Sequence, residues 1–205
     1  MELTREFVKS LPKAELHCHL DGSMRLSTIL ELAKEQNVKL PTDDPAKLES
    51  MLKVGMDCPS LEVYLKAFDI TCSVLQTYDS LVRATYELAE DCAEENIWYL
   101  EIRFSPILHI NKGLKLTEVI DAVLEGKARA ERDFNIKVGI IVCGLRHSTP
   151  ETSLLLAELA VAYKNRGVLN QNISWEYFLK IRFSNSILNL NLLLHWNNDI
   201  KEEIF

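Results

Sequence analysis

Two histidines one residue apart, His17 and His19, are the first residues of this chain whose types and spacing can do chemistry. They lie in Lys13-Ala-Glu-Leu-His-Cys-His-Leu20, whose alternation reads as a strand that stops at the turn Asp21-Gly22. Side chains two apart on a strand leave the same face, so both imidazoles can converge on one ion while Cys18 points the other way. Neutral imidazole is a common zinc ligand. At the C-terminal end of the first strand of a barrel, the pair would stand where active sites of that architecture are built. Ordinary strand histidines also show this spacing, so the motif alone leaves both readings open.

Other candidates carry blander readings. Leu61, Tyr64 and Phe68 recur at the spacing of any buried helix face, and core packing accounts for that spacing. Glu101 and Arg103 lie one apart on a later strand and fit half of an internal ion pair, while Arg146 and His147 end another; a structural role is expected for all four. His109 follows Pro106 in a loop and is expected to be solvated. The five cysteines are scattered without a Cys-x-x-Cys pair, which suits reduced thiols in a reducing compartment.

The elements that must position these residues alternate between strand and helix. After the first strand, Ser27 can cap a helix through Ile29, Leu30, Leu32 and Ala33, followed by a loop-rich stretch with Pro41, Pro45 and Pro59. Helical spacing from Ser60 to Asn96 predicts two or three helices. Ile97-Trp-Tyr-Leu-Glu-Ile-Arg-Phe-Ser105 predicts a second strand, Thr117 caps a helix to about Phe134, and Lys137 to Leu145 is an apolar run expected of a covered parallel strand. Thr149-Pro-Glu151 opens the next helix with Pro at its first position. Strands alternating with helices make the class α/β with a parallel sheet. From Leu169 onward the chain turns Asn-rich and loses any clean stripe, so residues 169–205 are expected to be a divergent, poorly specified tail after a unit spanning 1–168.

Composition bounds the partners. The 205 residues are balanced for a globular protein, and no run reaches the roughly 18 apolar residues a membrane span needs. The N-terminus mixes charges where a signal peptide would be apolar, so a cytoplasmic protein is expected. A net charge of −7 argues against nucleic acid, whose recognition needs clustered Lys and Arg, and leaves a small neutral or cationic substrate.

A resemblance sharpens the histidine pair. Leu11-Pro-Lys-Ala-Glu-Leu-His-Cys-His-Leu-Asp-Gly-Ser23 resembles the opening signature of adenosine deaminases, zinc-dependent members of the amidohydrolase barrels. The likeness continues through Ser60 to Phe68, Tyr99-Leu-Glu-Ile-Arg-Phe-Ser-Pro106 and Cys143-Gly-Leu-Arg-His147, in the family's order. It covers roughly residues 1 to 168. The resemblance implies a (β/α)8 barrel of which this chain holds three strands with an inserted helical lid. It implies Zn2+ on His17 and His19, the ribose 5′-hydroxyl on Asp21, and Leu61, Tyr64 and Phe68 on the lid over a purine nucleoside. The family usually carries another aromatic at position 64. Aspartate rather than glutamate at position 21 leans toward the nucleoside over the free base. The cytidine-deaminase design, with His-x-Glu and Pro-Cys-x-x-Cys, is absent from the sequence.

The same resemblance sets the expectation of a truncated deaminase, inactive alone. The family's third zinc-ligand histidine, its proton-shuttling glutamate and its later histidine and aspartates would all follow residue 168. His195, in Leu192-Leu-Leu-His-Trp196, is the one later histidine and lacks that context. A βαβ unit takes roughly 30 residues, so the rest of a barrel does not fit in 169–205. Apolar surface left uncovered would then favour self-association or a partner. The alternative reading is a non-catalytic interaction protein or an aberrant product.

Overall fold

The computed structural model describes residues 3–53, 61–145 and 148–172, with the backbone alone for 61–64 and 170–172. A short helix α1 (Arg5–Ser10) leads into β1 (Lys13–His19). Next come α2 (Leu26–Glu35), α3 (Pro45–Leu52), α4 (Leu61–Val74) and α5 (Tyr78–Glu94). Then β2 (Ile97–Phe104) runs through a 3-10 turn (Pro106–His109) to α6 (Leu116–Asp133), β3 (Lys137–Cys143), α7 (Pro150–Tyr163) and β4 (Val168–Asn172). All strand pairs are parallel in the order β1-β2-β3-β4, which is the α/β architecture expected from the alternation.

Alternation along the central strands separates a packed face from the face that carries chemistry. Leu100, Ile102 and Phe104 of β2 and Val138, Ile140 and Val142 of β3 are buried in one core with α5, α6 and α7. The opposite face carries Tyr99, Glu101 and Arg103, beside Ile141 and Cys143. A second, smaller core of Ile29, Leu32, Leu48, Ile70 and Val74 holds α2, α3 and α4 together. Ion pairs then tie α2 to α5: Arg25 reaches Asp91 at 2.5 Å and Glu90 at 2.7 Å, and Arg83 reaches Glu31 at 2.7 Å. The long helices α5 and α6 approach so closely at Gly126 that a Cβ there would lie 2.5 Å from the Val82 carbonyl oxygen.

Several local expectations are corrected. The sheet has a fourth strand, Val168–Asn172, beyond the three expected, in a stretch without a clean apolar stripe. Its polar Asn170, Gln171 and Asn172 pair with Ile141, Val142 and Cys143, so backbone pairing rather than an apolar stripe makes the strand. The two helices α1 and α3 occupy stretches read as irregular; Thr4 caps α1, and Asp44 caps α3 ahead of Pro45. Helix α2 starts at Leu26 rather than being capped by Ser27, because Arg25 sits in the cap position and spends its side chain on α5. Helix α6 likewise starts one residue before Thr117, with the Lys115 N–H held by Glu118. Thr149 and Pro150 open α7 as expected.

Candidate metal and substrate site

The site is built at the C-terminal end of β1. Between Glu15 and Cys18 the strand takes one more step than Leu100 to Ile102 of β2, a bulge at Leu16-His17. The His17 N–H turns to the Glu15 carboxylate at 2.9 Å. Past the bulge, His17 and His19 stand side by side with ring centroids 5.4 Å apart and planes tilted by 39°. Cys18 faces the core side, its Sγ 3.2 Å from the Ser23 hydroxyl. The two-residue spacing therefore puts both imidazoles together, His17 exposed and His19 half-buried.

Asp21 lies beneath the pair and is only 3% exposed. One carboxylate oxygen, Oδ2, accepts from Cys72 Sγ at 3.7 Å; the other, Oδ1, has no hydrogen-bond partner and lies 3.9 Å from His19 Nδ1. Burial pushes the Asp21 carboxyl up to about 6, against the lowering pull of its hydrogen bonds from backbone and Cys72. Burial also holds His19 below its ordinary value, helped by the neighbouring His17 and by the Arg103 guanidinium. Burial and these two neighbours favour the neutral imidazole that a metal requires.

Helix α4 forms a roof. The Phe68 ring meets His19 edge-on at 5.9 Å, and a Cβ at Gly22 would come within 3.3 Å of both residues, so the turn after β1 admits no side chain without displacing one of them. Leu61 and Tyr64 lie on the same helix, but their side chains fall outside the described residues. Cys72, one turn after Phe68, was missed in the sequence; extending the Leu61, Tyr64, Phe68 stripe by four residues finds it.

Beside β1, Arg103 pairs in register with His19 and its Nε is buried without a hydrogen-bond partner. Glu101 takes a hydrogen bond from the Tyr99 hydroxyl at 3.0 Å, and among the described residues no ion pair includes Glu101 or Arg103. His109 is not solvated: it is fully buried, with Nδ1 3.0 Å from the Leu75 carbonyl. Arg146, His147 and His195 lie outside the described residues. Among the described residues no group of three or more His, Cys, Asp or Glu is arranged to hold a metal ion. No helix among them is long and apolar enough to cross a membrane.

The adenosine deaminase family model matches residues 12–176, a stretch that contains His17, His19, Asp21 and Phe68. The chain belongs to the adenosine deaminase family. A probable adenosine deaminase of Dictyostelium discoideum is 51% identical over 168 residues, covering 82% of this chain and 22% of that protein. The adenosine deaminase of Clostridium botulinum (strain 657 / Type Ba4) is 41% identical over 161 residues, covering 78% of this chain and 49% of that one. The chain thus spans half or less of the length of these relatives. Among solved structures, Arabidopsis ADAL complexed with GMP superimposes with a TM-score of 0.69 at 31% identity, covering 82% of this chain and 51% of that chain. The solved neighbours are TIM-barrel amidohydrolases and deaminases, and the four parallel strands with their helices among the described residues correspond to part of such a barrel.

Proposed function

We propose that this chain carries the opening part of a zinc-dependent adenosine deaminase site, with His17 and His19 as metal ligands and Asp21 as the carboxylate that receives the ribose 5′-hydroxyl. The observation that carries the reading is the side-by-side imidazole pair above a buried carboxylate with one free oxygen. Two neutral nitrogen donors on one face fit a zinc ion in part, since catalytic zinc takes three protein ligands and an open position. When bound, zinc would supply a water of lowered pKa as the nucleophile for hydrolytic deamination of adenosine or deoxyadenosine to inosine or deoxyinosine.

The chain's own residues do the rest of what can be assigned. Asp21, mostly ionised at neutral pH with a pKa of about 6, offers Oδ1 to a hydroxyl donor. Phe68, with Leu61 and Tyr64 on the same helix, covers the rim and limits water around the base. The complex of ADAL with GMP supports a purine ligand for this fold. Among the described residues no third metal ligand joins His17 and His19, so this part of the site is read as inactive by itself. The division near residue 168 belongs to this reading, shifted by β4 to beyond Asn172. The free thiols Cys18, Cys72, Cys92 and Cys143 support a reducing, cytoplasmic setting.

The test is conversion of adenosine to inosine by the purified chain with zinc supplied, beside a variant with His17→Ala and His19→Ala. No turnover is expected. Turnover that disappears in the variant would mean that the site is complete in this chain and that the partial-site reading is wrong.

A second reading, association through uncovered apolar surface, is favoured by Leu16 on edge strand β1 and Leu169 on edge strand β4, 56% and 45% exposed. Light scattering on the purified chain would settle it: a monodisperse monomer excludes this reading.

A further inference from the structure

Helix α4 places Phe68 against His19 and Cys72 against Asp21, so whatever fixes the end of α4 fixes the roof of the site. The helix ends at Val74, and Thr77 caps α5. Between them lie Leu75 and Gln76, both buried. The Gln76 carboxamide is matched on both ends. Its Nε2 donates to the Cys72 carbonyl at 2.7 Å and to the Leu108 carbonyl at 2.8 Å, and its Oε1 accepts from the Asn111 N–H at 3.0 Å. From the 3-10 turn after β2, His109 Nδ1 donates to the Leu75 carbonyl at 3.0 Å. The carbonyl of Cys72 lies in the last turn of α4 and also accepts from the Leu75 N–H at 3.2 Å. The Gln76 side chain thus joins that turn to the segment that follows Arg103 and Ser105.

We propose that Gln76 is a positioning residue: by tying the C-terminal turn of α4 to the segment after β2, it holds Phe68 and Cys72 against the His19 and Asp21 rim that receives the nucleoside. The last clause rests on the deaminase reading; the clamp does not. Gln76 touches no reacting atom. It acts because without the Gln76 amide the Leu108 carbonyl and the Asn111 N–H lose this partner while the Cys72 carbonyl keeps the Leu75 N–H, and the cheapest relief is for the end of α4 to move out toward water. His109, from the same 3-10 turn as Leu108, donates to the Leu75 carbonyl, so the junction between α4 and α5 is tied to that turn by two side chains.

The experiment is alkylation of the full-length chain with iodoacetamide, resolved by residue in the mass spectrometer, comparing Cys72 on α4 with Cys92 in the main core. Gln76→Ala removes all three hydrogen bonds. Gln76→Glu keeps an acceptor for Asn111 but sets oxygens against both carbonyls, and it provides a second variant should the first not fold. Cys72 is expected to label about tenfold faster in either variant while Cys92 keeps its rate. Unchanged labelling of Cys72, or equal acceleration of both cysteines, would overturn the proposal, since the second result describes general loosening. Inosine added to the wild-type chain should slow Cys72. Failure of that protection would count against the nucleoside reading, while the clamp is judged on the variants.

Discussion

The ring of Phe68 stands edge-on to the imidazole of His19, their centroids 5.9 Å apart and their planes at 75°. A residue of the inserted helix α4 thereby closes one side of the strand-end histidine pair, and the environment of His19 depends on an element distant in sequence. Phe68→Ala should uncover His19 and let it titrate nearer an ordinary imidazole, because burial is the largest cause of its lowered pKa, ahead of His17 and Arg103. Titration followed through the imidazole C–H resonances measures this. An unmoved His19 would show that Phe68 does not provide the burial.

Gly126 is required by the approach of α6 to α5. A methyl group there would lie 2.5 Å from the Val82 carbonyl oxygen and 2.8 Å from Thr85 Cβ, so the helices must part. Helix propensity alone would make Gly126→Ala stabilising by up to about 1 kcal/mol, whereas overpacking costs about 1–3 kcal/mol. Net destabilisation of up to about 2 kcal/mol is expected in urea unfolding. A variant more stable than the wild type would contradict the close packing, because the two effects differ in sign.

Burial of His109 makes stability depend on pH. Its pKa is pushed down to about 4 by desolvation, partly opposed by the bond to Leu75, while an unfolded histidine titrates near 6.5. Between these values the unfolded chain binds the extra proton, so its contribution is complete above about pH 6.5 and is lost as pH falls toward 4. The loss amounts to roughly 3 kcal/mol at most. His109→Asn should flatten the stability profile across this window, measured by urea midpoints at a series of pH values. An unchanged slope would assign the acid sensitivity to other groups.

What could be read from the residues follows from how local each signal is. Strand β3 was legible because Val138 to Val142 form an unbroken apolar run, and α7 because Thr149 and Pro150 are local start signals. The histidine pair was legible because a strand's period of two needs no tertiary information, and the bulge at Leu16-His17 precedes the pair without separating it. Strand β4 escaped because its polar residues reveal nothing of the paired backbone beside β3. His109 escaped for a related reason: a lone histidine after Pro106 gives no local sign of burial, and the Leu75 carbonyl at the junction between α4 and α5 supplies the partner that makes its burial tolerable. Glu101 and Arg103 carry charges that suit half of an internal ion pair, but a strand's pattern does not reveal partners on other elements, and Glu101 takes the Tyr99 hydroxyl.

The central claim is that His17 and His19 form the metal-binding half of a deaminase site, and calorimetric titration of the metal-free chain with Zn2+ tests it most directly. Wild-type protein should bind one zinc ion per chain, weakly for want of a third ligand, and either His17→Ala or His19→Ala should abolish that binding without shifting the urea midpoint. Zinc binding that survives both substitutions, or no binding by the wild type, would contradict the account.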